Sequence, residues 1–184
     1  AVKRSSLTAA AIEQRYYFVH ESHKTNALTR LFEIEPIHSA LIFARTRAET
    51  SNLANELVIR GIPAEAIHGD LDQNARERVL GRFRANQLKV LVATDVAARG
   101  LDIDDISHVF NYHLPDDAEL YVHRIGRTGR AGKTGVAITL LSPKEKRRLR
   151  EVEALTKQPV KKMELPTPEE IAKLPGYRED KTAD

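Results

Sequence analysis

Short apolar runs alternate with longer amphipathic stretches from about Tyr16 to Leu141, the rhythm of a parallel sheet covered by helices. The apolar runs predict strands over Tyr16 to Val19, Ala40 to Phe43, Ala64 to His68, Val90 to Ala93, His108 to Asn111 and Val136 to Leu141. Two of them, LIFA and VLVA, are continuously apolar, as strands buried on both faces should be. Between them, Leu53 and Leu57 fall on one helical face, as do Ala75, Val79 and Phe83, so helices are expected to cover the sheet. Pro115 followed by Asp116 and Asp117 marks a helix start, because carboxylates complement the positive end of the helix dipole. That helix should end in the run containing Gly126, Gly129, Gly132 and Gly135, which reads as a loop with sharp turns. Ser142 and Pro143 open a charged helix, Pro being suited to a first helical position. Beyond Pro159 the chain turns to Pro, Glu and Lys, and residues 159–184 are expected to be loosely held or ordered by something outside this chain.

Composition narrows the class. A chain of 184 residues buries a sufficient core without staples, since roughly 70% of the unfolded surface disappears near that size. The absence of cysteine excludes disulfides, thiolate zinc sites and thiol nucleophiles, and fits a reducing compartment. No apolar run approaches the ~20 residues of a membrane helix, and the opening AVKRSSLTAAAIEQR lacks the apolar stretch of a secretory signal. The expectation is a cytoplasmic protein without membrane association. Net charge is only +3, and basic and acidic side chains are nearly balanced on both sides of residue 143. Anion binding must therefore come from local geometry.

Three segments carry more polar groups than packing requires. The first, HGDLDQNARERVLGRFR (68–84), leaves a strand at Gly69 and Asp70 and enters a helix bearing Gln73, Arg76, Arg78, Arg82 and Arg84. Taken alone it favours a capped helix with a solvated face; the sharper reading is a helix N-terminus and guanidinium on a backbone phosphate. The second, VATDVAARGLDIDD (92–105), sets Thr94, Asp95, Arg99, Gly100 and Asp102 at one strand end. Its carboxylates Asp95, Asp102, Asp104 and Asp105 are better explained as caps and turn acceptors than as a magnesium site. A hydroxyl, a guanidinium and an acid there suit phosphate and ribose. The third, YVHRIGRTGRAGKTG (121–135), crowds His123, Arg124, Arg127 and Arg130 where a helix gives way to glycines. None of the three arginines has an acid three or four positions away, which leaves them locally unpaired. A guanidinium gives bidentate bonds to phosphate and stays charged, so an anion role is favoured over plain surface charge.

LIFARTR, HGDLDQNARERVLGRFR, VATDVAARGLDI and HRIGRTGR, in that order, closely resemble the second RecA-like domain of DEAD-box RNA helicases. The likeness covers roughly residues 16–156. It implies a RecA-like three-layer α/β sandwich with a mostly parallel sheet covered on both faces, a linker remnant over 1–15, the helicase domain over 16–158 and an extension over 159–184. It also implies residue roles. Arg127 and Arg130 would face the γ-phosphate of ATP on a partner domain, with Arg130 as arginine finger, and Asp102 would touch the ribose. His123 and Arg124 would link the ATP site to the domain interface. Thr46, Arg47, Gly69, Arg76, Thr94 and Arg99 would lie along the RNA groove, against phosphates and sugars.

The departures matter as well. No GxxxxGK[ST] run, no Asp-Glu-Ala-Asp and no adenine-reading glutamine motif occurs, so the parts that cradle phosphates and hold magnesium are missing. ATP, and Mg2+ with it, would be bound mainly by an N-terminal RecA-like domain of the same protein. The tail KKMELPTPEEI resembles the segment that follows this domain in bacterial members, where a dimerisation or RNA-binding extension follows, so a homodimer through such an extension is one of two expectations. The expectation is half of an RNA-stimulated ATPase, inactive in hydrolysis alone. A non-catalytic RNA-binding or interaction module and a DNA helicase of a related superfamily are the competing readings.

Overall fold

The computed structural model describes residues 12–101, 103, 106–129 and 133–173. Its centre is one sheet of seven strands: β1 (Ile12–Phe18), β2 (Ala40–Phe43), β3 (Ala64–Ile67), β4 (Val90–Ala93), β5 (His108–Asn111), β6 (Gly135–Leu141) and β7 (Lys161–Met163). They lie in the order β3-β4-β2-β5-β6-β1-β7, and every pair is parallel. The helices are α1 (Lys24–Ile34), α2 (Arg47–Ile59), α3 (Gln73–Arg84), α4 (Asp95–Ala98), α5 (Ala118–Ile125), α6 (Lys146–Thr156) and α7 (Pro168–Ala172). Single 3-10 turns at Glu21–His23 and Pro143–Glu145 lead into α1 and α6.

Strand alternation divides the core into two faces. Ala40, Ile42, Val90, Val92, Phe110, Ile138 and Leu140 point to the side covered by Ala27, Leu28 and Leu31 of α1 and Leu53, Ala54 and Leu57 of α2. On the other side Leu41, Phe43, Leu91, Ala93 and Val109 pack under Leu80 and Phe83 of α3 and Ala97 and Ala98 of α4. Tyr16, Ala137 and Leu141 continue that side under Tyr121 and Ile125 of α5 and Leu149 and Val152 of α6. The expected three-layer α/β architecture is therefore present, with β2 and β4 buried along their whole length. In α3 the buried positions are Leu80 and Phe83, whereas Ala75 and Val79 are only partly covered.

Two boundaries differ from the sequence reading. The first strand begins at Ile12, so residues 12–15, expected in a linker remnant, pair with β6 from Ile12↔Gly135 to Arg15↔Ile138. The inward position of the polar Gln14 disguised it: that amide is 4% exposed, accepts from the Tyr121 hydroxyl at 2.8 Å and donates to Gln158 at 3.3 Å. The tail was expected to be loosely held, yet residues 159–173 are built into the fold. Residues Lys161 to Met163 of β7 pair with Arg15 to Tyr17, Val160 and Ile171 are buried, and α7 packs near α1. A three-residue edge strand bearing exposed lysines carries too little periodicity to be read. Its successor is fixed by a capping box in which Thr167 accepts from Glu170 N at 3.1 Å and Glu170 accepts from Thr167 N at 3.1 Å.

Where the glycine run enters β6, one glycine is required by space. A Cβ on Gly135 would collide with the Thr128 side chain and the backbone nitrogen of Gly129. Thr128 cannot easily retreat, because its buried hydroxyl donates to the Ile106 carbonyl. Gly129 itself has φ +69°, in the region that favours glycine. Gly135→Ala is expected to destabilise the chain by about 2 kcal/mol or more, as overpacking against fixed backbone does, read as a lower urea midpoint at unchanged slope.

Candidate functional site

The carboxyl ends of the parallel strands open onto one edge, where open α/β sheets bind ligands. Thr46 and Arg47 follow β2, Gly69 follows β3, and Thr94 and Arg99 follow β4. Both threonines are helix N-caps: Thr46 accepts from Glu49 N at 3.1 Å and Thr94 from Ala97 N at 3.3 Å. A hydroxyl that accepts through one lone pair still has its proton to donate, so each cap can offer a bond outward. Arg47 is exposed and ion-paired with the equally exposed Asp70, which ties the loops after β2 and β3 together. Arg99 is exposed beside Gly100. Arg76, in the first turns of α3, has its Nε buried and without a hydrogen-bond partner among the described residues. An unsatisfied buried donor of this kind costs about 1–3 kcal/mol unless a ligand or solvent meets it.

The arginine segment differs from its sequence reading. Arg124 was expected to be locally unpaired, but it is 5% exposed and makes a fork with Asp95, Nε to Oδ1 at 2.7 Å and Nη2 to Oδ2 at 2.8 Å. Its Nη1 donates to Asn111 Oδ1 at 3.0 Å and to the His113 carbonyl at 3.1 Å, and the guanidinium lies 5.0 Å from the Phe43 ring centroid. The partner stands 29 residues away, which a search at helical spacing cannot see. Arg127 is not held out without partners either: it donates to the carbonyls of Ala98 at 2.7 Å, Leu101 at 2.8 Å and Ile103 at 3.5 Å. These bonds fasten the chain after α5 to the connection between β4 and β5. His123 is exposed on α5. Arg130 and Asp102 lie outside the described residues, as do Asp104 and Asp105, while Asp95 is the partner of Arg124. Among the described residues no group of three His, Cys, Asp or Glu is placed to hold a metal ion.

Sequence reasoning missed a buried network at the same edge. The Lys24 ammonium, fully buried, donates to the Tyr112 carbonyl at 2.7 Å, sits 3.0 Å from His113 Nδ1 and pairs with Glu21 at 3.1 Å. With the ammonium donating to Nδ1, the imidazole proton is on Nε2, which reaches Glu49 at 2.7 Å. The other Glu49 oxygen accepts from Arg45 N at 2.8 Å. The loop bearing Arg45, Thr46 and Arg47 is thus braced from β5 and from α1. Burial pulls the Lys24 ammonium below its ordinary value, with a smaller push from Arg45, and Glu21 and Glu145 only partly offset that. Burial would raise Glu49, but the hydrogen bonds from His113 and the Arg45 backbone outweigh it and hold the carboxyl low. Glu35, at the opposite end of the sheet, is held low first by the His108 ring, whose Nε2 lies 3.6 Å away, against burial, and then by Arg15. No single local pattern announces these groups; only the strand-end position of Tyr112 and His113 does.

An all-parallel sheet with cation-bearing strand-end loops defines a nucleotide- and phosphate-handling class of α/β domain. The helicase conserved C-terminal domain family matches residues 23–132, and the chain belongs to that family, as the C-terminal RecA-like domain of a DEAD-box RNA helicase. It is 49% identical over 169 residues to the DEAD-box ATP-dependent RNA helicase CshA of Geobacillus kaustophilus, covering 92% of this chain and 36% of that protein. The chain thus spans about a third of that relative's length. Escherichia coli SrmB, solved bound to regulator of ribonuclease activity A, superposes with a TM-score of 0.78 at 38% identity, covering 91% of this chain and 96% of that one. Saccharomyces cerevisiae Dbp5 bound to RNA and ADP BeF3 gives a TM-score of 0.77 at 35% identity, over 84% of this chain and 42% of that one. Among the described residues no helix is long and apolar enough to cross a membrane.

Removing Arg124 leaves Asp95 and the Asn111 amide without their partner. Arg124→Ala is expected to cost about 3–5 kcal/mol in urea unfolding, and Arg124→Lys to recover only part of it, because one ammonium cannot reproduce the fork. Acid acts on the lowered carboxyls. Their stabilisation is fully present above the ordinary glutamate value of 4.5 and is lost as pH falls through the lower folded values. A series of melts below pH 5 should therefore show a shallower loss for Glu49→Gln than for the parent chain.

Proposed function

We propose that this chain supplies one half of an ATP-dependent RNA helicase: half of the RNA-binding edge, and the arginine finger for hydrolysis on a partner domain. The observation that carries the reading is the carboxyl edge, where Thr46, Arg47, Gly69, Thr94 and Arg99 follow three adjacent strands of one sheet, β2, β3 and β4. The partner-free Nε of Arg76 adds a donor for the same ligand. Hydroxyls, guanidinium groups and an exposed glycine backbone suit phosphates and sugars, so the grip is on RNA without base readout. The likeness to Dbp5 bound to RNA and ADP BeF3 supports both ligands.

The ATP side follows from the arginine segment. Arg130 is assigned as the finger that stabilises charge developing on the γ-phosphate. Arg127, fastened to the Ala98 and Leu101 carbonyls, holds the segment beside it, and Asp102 contacts the ribose. Arg124, through Asp95, fixes α5 and the exposed His123 at the interface with the N-terminal RecA-like domain. That domain supplies the P-loop and the magnesium ligands. RNA and ATP each bridge two domains in this scheme, so each favours the closed arrangement, and closure distorts and opens a short duplex.

Steady-state phosphate release tests it. The 184-residue chain alone with RNA should show no turnover above background, and an enzyme with both domains should hydrolyse ATP when RNA is added. In that enzyme Arg130→Ala should lower kcat by about 10³ while RNA affinity and its salt slope stay within twofold. Turnover by the isolated chain, or an unchanged kcat for the variant, would overturn the assignment, and weakened RNA binding instead would favour a non-catalytic RNA-binding module.

A further inference from the structure

Beyond the strand-end groove, two lysines from separate elements converge on one aromatic ring. Lys146 Nζ, at the start of α6, lies 6.0 Å from the Phe18 ring centroid, and Lys162 Nζ, on β7, lies 5.3 Å from it. Parallel register sets this up: Lys162 is aligned with Tyr16, and Phe18, two residues on, points to the same face. The ring is only half-buried and both lysines are exposed. Lys146 has no ion pair among the described residues. Lys162 has only Glu164, at 3.8 Å and itself 86% exposed. Two like charges gathered at one ring repel each other, and the ring quadrupole offsets only part of that. An anion bound beside the ring would be attracted by both.

The place says which anion. Phe18 ends β1 and Pro143–Glu145 follows β6, so the pair stands on the same carboxyl edge as Thr46 and Arg47. The two regions are joined: Arg45, next to Thr46, reaches Glu145 at 3.9 Å, and Glu145 directly precedes Lys146. Glu145 does not cancel the lysines, because it is buried and engaged by Arg148 at 2.8 Å and by Ser142. We infer that Lys146 and Lys162, positioned by the Phe18 ring, form an additional phosphate contact for single-stranded RNA, extending the groove from β2 across the sheet edge to β7.

The inference rests on the RNA-binding reading, and the test separates the two. Binding of a fluorescent 20-nucleotide oligouridylate to the 184-residue chain is followed by anisotropy across a salt series. Lys146→Ala with Lys162→Ala should weaken binding about five- to tenfold and reduce the salt slope by about 1.4, at ~0.7 for each phosphate neutralised on a single strand. Lys146→Arg with Lys162→Arg should retain both values. Phe18→Leu should weaken binding with the salt slope lowered less, since it keeps the charges and loses their placement. All three positions are at the surface or half-exposed, and matching melting curves confirm that the variants fold. If the parent chain binds RNA and the double alanine variant binds with the same affinity and slope, this inference fails alone. If the parent chain does not bind RNA, both readings fail.

Discussion

The candidate site depends on one buried charge pair. Arg124 and Asp95 are brought together from α5 and from the first residue of α4, just past the β4 strand end. Arg124 is buried and Asp95 is 24% exposed; drawing these charges largely out of water is costly, and a fork geometry with the remaining donors satisfied offsets it. Arg124 meets that condition, because Asn111 and the His113 carbonyl take Nη1. Three strand-end segments, after β4 and β5 and at the end of α5, are therefore fixed to one guanidinium. One turn further on, Arg127 repeats the device with neutral acceptors at Ala98 and Leu101. The chain leading to Arg130 thus leaves a platform whose position is set from inside the fold.

The opposite side of the edge is braced by other chemistry. Lys24, His113 and Glu49 form a buried relay of hydrogen bonds from α1 through the β5 end to the loop before α2. The carbonyl of His113 is also an acceptor for Arg124. The same residue therefore touches both networks, one leading to the loop that bears Thr46 and Arg47 and one to the arginine segment. A shift of the β5–α5 connection would be felt on both, which gives a physical link between the two proposed half-sites without a long pathway.

The sheet was legible because its inner strands are short runs buried on both faces, two of them wholly apolar: Ala40–Phe43, Val90–Ala93 and His108–Asn111 emerge at the expected residues. The caps at Asp117 and Ser142 were equally local, since a cap is decided within four residues. What escaped had non-local causes. Gln14 looked unsuited to a strand until Tyr121, 107 residues away, supplied its partner. β7 exists because β1 offers it an edge, and three residues carry no period of their own. The arginines of 124–130 stood out as a cluster, but the inference that they lacked partners used only neighbours on the same helix. Pairing across the sheet is invisible at that range, and it separates a structural Arg124 from a segment that can meet a ligand.

Exposure then divides the cations at this edge by what they can release. Arg124 could leave Asp95 only at a cost of several kcal/mol, so no phosphate can recruit it. Arg47 and Asp70 are both more than half exposed, and a pair in that setting is worth about 0–1 kcal/mol. Exchange of Asp70 for a phosphate oxygen is therefore close to neutral, and the balance is tipped by counterions released from the nucleic acid. The weak Arg47–Asp70 pair holds its guanidinium in place at little cost to its release. Under the proposed function that suits binding and release of RNA, by a chain whose net charge is only +3.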